Sequence, residues 1–287
     1  MSTILVTGAT GKVGQRLIPR LLAARTTQER IRVLVRRPED AERFAALGAE
    51  TLLGDLRVQQ DRAAAVAGAQ AVVNAAATFR GGASEEEMDA VNREAAVALG
   101  KEAAVAGVRR FIQLSTNLVY GPSRGRPARE DDELLAEGGY PGSKRAAEGQ
   151  LAQVSRETGL GLVVLRLPFV YGEGDPHLQE YLPRSAGMAA HQRLAVAHHA
   201  DVAQAVIRAL RTPGIDGRVY NVSDEAQITT WDAYTLCGVE MDASTASARA
   251  AVEDPWFGVV DTARIRAELG FRPFYPTIWS AQAVGAL

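Results

Sequence analysis

The sequence predicts an α/β protein: a doubly wound parallel sheet with a small C-terminal substrate lobe. Three observations carry this expectation. Short apolar, β-branched runs alternate with longer helix-forming stretches as far as about residue 220, the rhythm of βαβ units. The first run opens directly into a glycine-rich turn. The residues best suited to chemistry fall just after the runs, where an open α/β sheet binds its ligands.

Size and composition agree. A chain of 287 residues fits one large domain with an appendage; residues 1–170, completed by about 193–222, should form the sheet, and 171–192 with 223–287 the lobe. A net charge of −2 with both signs mixed offers no basic patch for nucleic acid or an anionic membrane. The single Cys237 cannot form an internal disulfide, in keeping with a reducing cytoplasmic setting. No apolar run reaches bilayer length, and the N-terminus lacks the charged and apolar regions of a signal peptide. The four histidines, His198 and His199 included, show no ligand spacing, so no metal site is expected.

Along the chain, Ile4–Val6 is a strand ending in Thr7-Gly8-Ala9-Thr10-Gly11-Lys12-Val13-Gly14, and a helical pattern follows to about Ala24. Strand, glycine turn and helix in this order form a phosphate cradle: Gly8 permits the tight turn, Gly11 lets backbone approach a pyrophosphate, and Gly14 allows close helix–strand packing. The helix N-terminus attracts the anion. Thr10, Lys12 and Val13 complete that loop. A second strand, Ile31–Val35, runs into Arg36-Arg37-Pro38; a third apolar run ends in Gly54-Asp55-Leu56; a fourth, Ala69–Val73, ends in Asn74-Ala75-Ala76-Ala77-Thr78. Ser84 followed by Glu85, Glu86 and Glu87 reads as a capped helix start, with the helix continuing to about Ala106 through Asn92. The fifth strand exits through Ser115-Thr116-Asn117-Leu118-Val119-Tyr120-Gly121. The polar loop from Gly121 to Gly139, with Glu130-Asp131-Asp132, should face solvent. A sixth buried strand, Leu162–Leu167, leads into Pro168-Phe169. A further helix is expected over Asp201–Leu210.

Tyr140 and Lys144 stand four residues apart, ahead of the helix-forming run from Arg145 to Glu157. On a helix they share one face. The chain carries three lysines among 32 basic residues, so a lysine four residues after a tyrosine is improbable by chance. A nearby ammonium favours phenolate and should lower the tyrosine pKa toward a range useful for proton transfer.

These motifs together resemble the short-chain dehydrogenase/reductase superfamily, in particular its extended, epimerase/dehydratase-like branch; the doubly wound sheet is then a Rossmann fold. The resemblance implies that Asp55 and Leu56 cover the adenine and that Ala75, Ala76, Ala77 and Thr78 run beside the cofactor ribose and pyrophosphate, with Thr78 toward the substrate. It implies that Asn92 contacts the cofactor side of the site. Thr116 would bond the substrate oxygen, beside Ser115. Pro168 would meet the nicotinamide carboxamide, with Phe169 and Asn117 facing substrate. Sugar dehydratases of this branch carry an acidic pair where Asn117 and Leu118 stand, which argues against 4,6-dehydration. NAD-binding relatives end the second strand in a carboxylate; Arg36, with Arg37, instead suits a 2′-phosphate and points to NADP(H) over NAD(H).

The expected function is an NADP-dependent oxidoreductase acting on a small-molecule carbonyl or secondary alcohol. Thr116, Tyr140 and Lys144 would be catalytic, with Lys144 also anchoring the nicotinamide ribose. A nucleotide-sugar epimerase and a non-catalytic NADP(H) sensor are the alternatives. Pairing of two copies through the Ala-rich helices near 85–106 and 143–157 would give a homodimer.

Overall fold

The structure, a computed structural model, describes residues 2–79, 83–241 and 254–287; the part of the expected lobe at 242–253 lies outside them. In chain order the strands are β1 (Ser2–Thr7), β2 (Glu29–Val35), β3 (Glu50–Leu53), β4 (Ala69–Asn74), β5 (Arg110–Thr116), β6 (Gly161–Leu167), β7 (Phe169–Tyr171), β8 (Arg193–Leu194), β9 (Val196–His198), β10 (Val219–Asn221) and β11 (Ile228–Thr229). Seven of them form one sheet in the order β10-β6-β5-β4-β1-β2-β3, parallel throughout. The order reverses between β1 and β4, which opens a crevice at their C-terminal ends.

Alternation along each strand dictates the two faces. Ile4 and Val6 of β1 pack with Leu17 and Ile18 of α1 (Gly14–Ala24) and with Val202 and Val206 of α8 (His199–Arg211). Leu5 points the other way, toward Leu99 of α5 (Ala96–Val105) and Leu151 of α6 (Gly139–Thr158). Burial on both faces explains why the strands read as continuous apolar runs. A third apolar cluster gathers Phe169, Tyr171, Tyr181, Val196 and Ile228 beside the sheet's open end.

Polar side chains bind the strand ends together. The Thr7 hydroxyl donates to Asn74 Oδ1 at 2.6 Å, and Asn74 Nδ2 donates to Gln113 Oε1 at 2.8 Å, with all three residues buried. This ladder crosses β1, β4 and β5 directly below the crevice.

Two local features depart from the sequence reading. The helix expected from Ser84 to Ala106 is interrupted: Glu85–Asp89 is α-helical, Ala90–Ala95 is a π-helical turn, and α5 follows. The capping box at Ser84 is present. The acidic loop expected in solvent places Glu130 in the interior (8% exposed), where it accepts the Asn221 amide at 3.0 Å.

Under α6 lies the buried pair Glu148–Arg166, 2.7 Å apart. Arg166 also donates to the Tyr120 hydroxyl at 2.8 Å and to the Glu130 carbonyl at 3.2 Å, and Ser115 donates to Glu148. Among the described residues no helix is long and apolar enough to cross a membrane. Glu148→Ala should destabilise the protein by about 3–5 kcal/mol by stranding the Arg166 charge. Urea unfolding at neutral pH measures this, and a loss below 1 kcal/mol would show the pair to be dispensable.

Candidate active site

The glycine turn is built by close approach of backbone. Gly8 adopts φ +69°, and a β-carbon there would sit 2.4 Å from the Ala76 nitrogen. At Gly14 it would sit 2.1 Å from the Gly8 oxygen, so the third glycine seats α1 on the loop. At Gly11 the nearest contact would be 3.3 Å away, leaving the loop open on that side. The Lys12 and Val13 amides find no acceptor among the described residues, and α1 has no side-chain cap. Free amides at a helix N-terminus with glycines around them fit a dinucleotide pyrophosphate. The Lys12 ammonium is committed elsewhere, to Asp175 at 2.8 Å and Glu180 at 2.9 Å. Asp175 also takes His199 Nε2 at 2.8 Å. Burial alone would raise the Asp175 carboxyl, but His199 and Lys12 hold it well below the usual carboxylate range.

At the far end of the crevice, Arg36 and Arg37 are exposed at the exit of β2. Arg37 pairs with Asp40 at 2.8 Å, whereas Arg36 forms no ion pair among the described residues. Asp55 holds Arg57 at 2.7 Å, and that hydrogen bond does most to lower its carboxyl to about 2. Leu56 is buried in the second core cluster.

The Tyr140–Lys144 pair lies in the first two turns of α6, facing Thr116 at the end of β5. The Thr116 side chain stands near enough to the Tyr140 hydroxyl to favour its ionised form. Lys144 Nζ donates to the Leu114 carbonyl at 3.1 Å and the Ala76 carbonyl at 3.3 Å, and lies 5.9 Å from the Tyr140 ring centre. The expected lowering of the tyrosine does not occur in this state. Burial pushes the phenol above its ordinary value and the Thr116 side chain only partly offsets that. Burial likewise pushes the Lys144 ammonium down to about 8, opposed by the Glu148 carboxylate. The enclosed volume penalises the charged form of each group, and desolvation is the larger influence on both.

Asn92, expected against the cofactor, is fully buried. It clamps Thr78 from both sides, accepting its amide at 2.8 Å and donating to its carbonyl at 2.9 Å, and donates to Ser143 Oγ at 3.1 Å. The π turn gives this side chain its reach from the helix to the loop after β4 and to α6. Asn117 turns its amide onto the Gly258 carbonyl, tying the hydroxyl loop to the C-terminal segment.

A cavity of about 1150 Å³ joins Gly11, Lys12, Val13 and Gly14 to Ala75, Ala77, Ser115, Thr116, Asn117, Tyr140, Lys144, Pro168 and Phe169. Its volume exceeds that of a typical single-ligand pocket. Gly8, Thr10, Arg36, Arg37, Asp55, Leu56, Ala76, Thr78 and Asn92 are not among its walls. Phe169 lines the cavity, and its ring stacks on His177 at 3.9 Å. A second cavity, about 330 Å³ near Ser2 and Arg110, contains none of the candidate residues. Sequence reading missed Glu148, Asp175, Glu180 and Phe79, whose ring packs 4.3 Å from that of Tyr140. Only Glu148 carried a local signal, one helical turn beyond Lys144.

Residues 4–223 match the NAD dependent epimerase/dehydratase family. The chain is 29% identical to the 4-hydroxy-2-methyl-3-oxo-4-farnesyl-3,4-dihydroquinoline-1-oxide ketoreductase of Stigmatella aurantiaca, over 91% of this chain and 83% of that protein. It is 25% identical to the UDP-glucose 4-epimerase of Vibrio cholerae, over 85% and 77% respectively. A short-chain dehydrogenase/reductase superfamily protein from Agrobacterium tumefaciens, solved with bound NAD, superposes with a TM-score of 0.78 at 22% identity, covering 98% of this chain and 95% of that one.

Lys144 gives a pH signature. Its pKa of about 8 in the fold lies below the ordinary 10.5, so between these values the unfolded chain binds more protons and stability rises with pH. That contribution is lost as pH falls from about 10.5 to about 8. Thermal unfolding of the ligand-free protein should therefore show Lys144→Met gaining stability over wild type at pH 8 and losing most of that advantage near pH 10. A pH-independent difference contradicts the assignment.

Proposed function

The chain belongs to the NAD dependent epimerase/dehydratase family, and we propose that it is an NADP-dependent oxidoreductase interconverting a carbonyl and a secondary alcohol. The observation that carries this reading is the convergence of the Thr116 and Tyr140 hydroxyls and the Lys144 ammonium at one end of a cavity whose other end is the glycine turn. The bound nicotinamide supplies or accepts the hydride. In reduction, Tyr140 gives its proton to the carbonyl oxygen as the carbon gains hydride, and the proton is replaced from solvent. Thr116 donates a hydrogen bond to the same oxygen, so two donors meet the atom on which charge develops. Lys144, held by the Leu114 and Ala76 carbonyls, stabilises the phenolate left behind; when protonated it is the nearest full positive charge on α6. The likeness to a ketoreductase supports this direction.

The epimerase reading uses the same triad but returns the hydride to the substrate. The free guanidinium of Arg36 favours an exchangeable, phosphorylated cofactor and a net redox reaction instead. Stoichiometric consumption of NADPH separates the two.

Tyr140→Phe should lower turnover by about a hundredfold or more while NADPH binding, followed by fluorescence titration, stays nearly unchanged; retained turnover removes Tyr140 from the mechanism. Arg36→Asp should weaken NADPH far more than NADH in the same titration. Equal loss for both would sink the NADP assignment.

A further inference from the structure

Beyond the nicotinamide end, the cavity changes character. Apolar side chains stand beside the reacting hydroxyls: Phe79 packs on Tyr140, Leu118 follows Thr116 by two positions, and Pro141 follows Tyr140, all three lining the cavity together with the polar Ser115 and Asn117 that flank Thr116. At its mouth stand Leu135, Met188 and Phe257, which are 40%, 42% and 43% exposed. Large apolar side chains left open around one concavity mark a binding surface for an apolar partner.

Beyond the glycine turn, the charges along the walls do not suit a second anion. Four basic residues (Lys12, Lys144, Arg184, Arg193) face four acidic ones (Glu137, Asp175, Glu180, Asp254) among the described lining. Lys12 is spent on Asp175 and Glu180, Lys144 lies on main-chain carbonyls, and the Arg193 guanidinium lies 4.7 Å over the Trp256 ring. Arg184 is the lining cation left without an ion pair or a ring contact among the described residues. A nucleoside diphosphate sugar would bring two further negative charges and a ring of hydroxyls against Phe79, Leu118 and Met188. Desolvating them with one free guanidinium to hand is unfavourable.

Resting on the oxidoreductase reading of this site, we infer that the substrate is an uncharged, bulky apolar ketone or its secondary alcohol, seated among Phe79, Leu118, Met188 and Phe257, and that nucleotide sugars are excluded. The carbonyl meets the hydroxyls of Thr116 and Tyr140, and the apolar side chains surround the rest. The rest of the molecule gains its affinity from apolar contact, so specificity lies in bulk and lack of charge.

The test uses the full-length protein loaded with NADP⁺ for binding and NADPH for turnover. 1-Tetralone, acetoin and UDP-glucose are the probes, and calorimetry and NADPH oxidation the readouts. Expected are binding and reduction of 1-tetralone, with UDP-glucose failing to bind. Met188→Glu should raise the KM for 1-tetralone by about tenfold without altering NADPH affinity, and Met188→Leu should restore it. Binding of UDP-glucose in place of 1-tetralone, binding of neither, or reduction of acetoin alone overturns the substrate class; reduction of acetoin still leaves the carbonyl chemistry standing. Conversely, 1-tetralone that binds in a Met188-dependent way but is never reduced upholds the pocket and overturns the oxidoreductase reading.

Discussion

The Glu148–Arg166 ion pair is the constraint on which the site geometry rests. Two charges removed from water cost several kcal/mol each unless every donor and lone pair is met, and here they are met by groups from separate parts of the chain. Arg166 comes from β6, Glu148 from α6, the Ser115 hydroxyl from β5, and the Tyr120 hydroxyl and Glu130 carbonyl from the loop between them. Tyr120 passes the network on to Asn221 of β10 at 2.7 Å. A shift of α6 relative to the sheet would break several charge-assisted bonds at once. The first two turns of that helix hold Tyr140 and Lys144, so the same cluster fixes the distance from the phenol to Thr116. Glu148 also opposes the loss of charge at Lys144, coupling the structural pair to the titrating one.

A second set of constraints is made of backbone. Gly8 and Gly14 are required because carbonyls and amides occupy the space where side chains would lie. Asn92 does the equivalent on the opposite wall: from a π turn it holds Thr78 through both its amide and its carbonyl and reaches Ser143. π turns concentrate at functional positions because the extra residue redirects a side chain that an α-helix would keep on its own face. The loop after β4, the start of α6 and the glycine turn are thereby locked around one space.

These two kinds of constraint were unequally legible in the sequence. The sheet, the glycine turn and the Tyr140–Lys144 spacing follow from short-range rules: period 2 along strands, positive φ at glycine, and i, i+4 on a helix. So does the capping box at Ser84. What could not be read is long-range or energetic. Asp175 meets Lys12 across 163 positions, and nothing local marks either as the other's partner. Glu130 looked like one of three solvated acids until the fold brought the Asn221 amide to it. The state of Tyr140 depends on burial, opposed only by the Thr116 side chain, and spacing alone does not reveal burial.

The commitment of Lys12 bears on how the cofactor is held. Had its ammonium faced the glycine turn, the pyrophosphate would have been gripped by a mobile point charge. With Lys12 drawn to Asp175 and Glu180, a bound pyrophosphate would be left to the fixed amides of Lys12 and Val13 and the dipole of α1, which would need no reorganisation. The same ion pairs span from the glycine turn to α7 (His177–Tyr181) and the segment before it, which carries His177 against Phe169. The glycine turn and the cavity wall at Phe169 are therefore tied through one short segment, so a displacement of either bears on the position of the other.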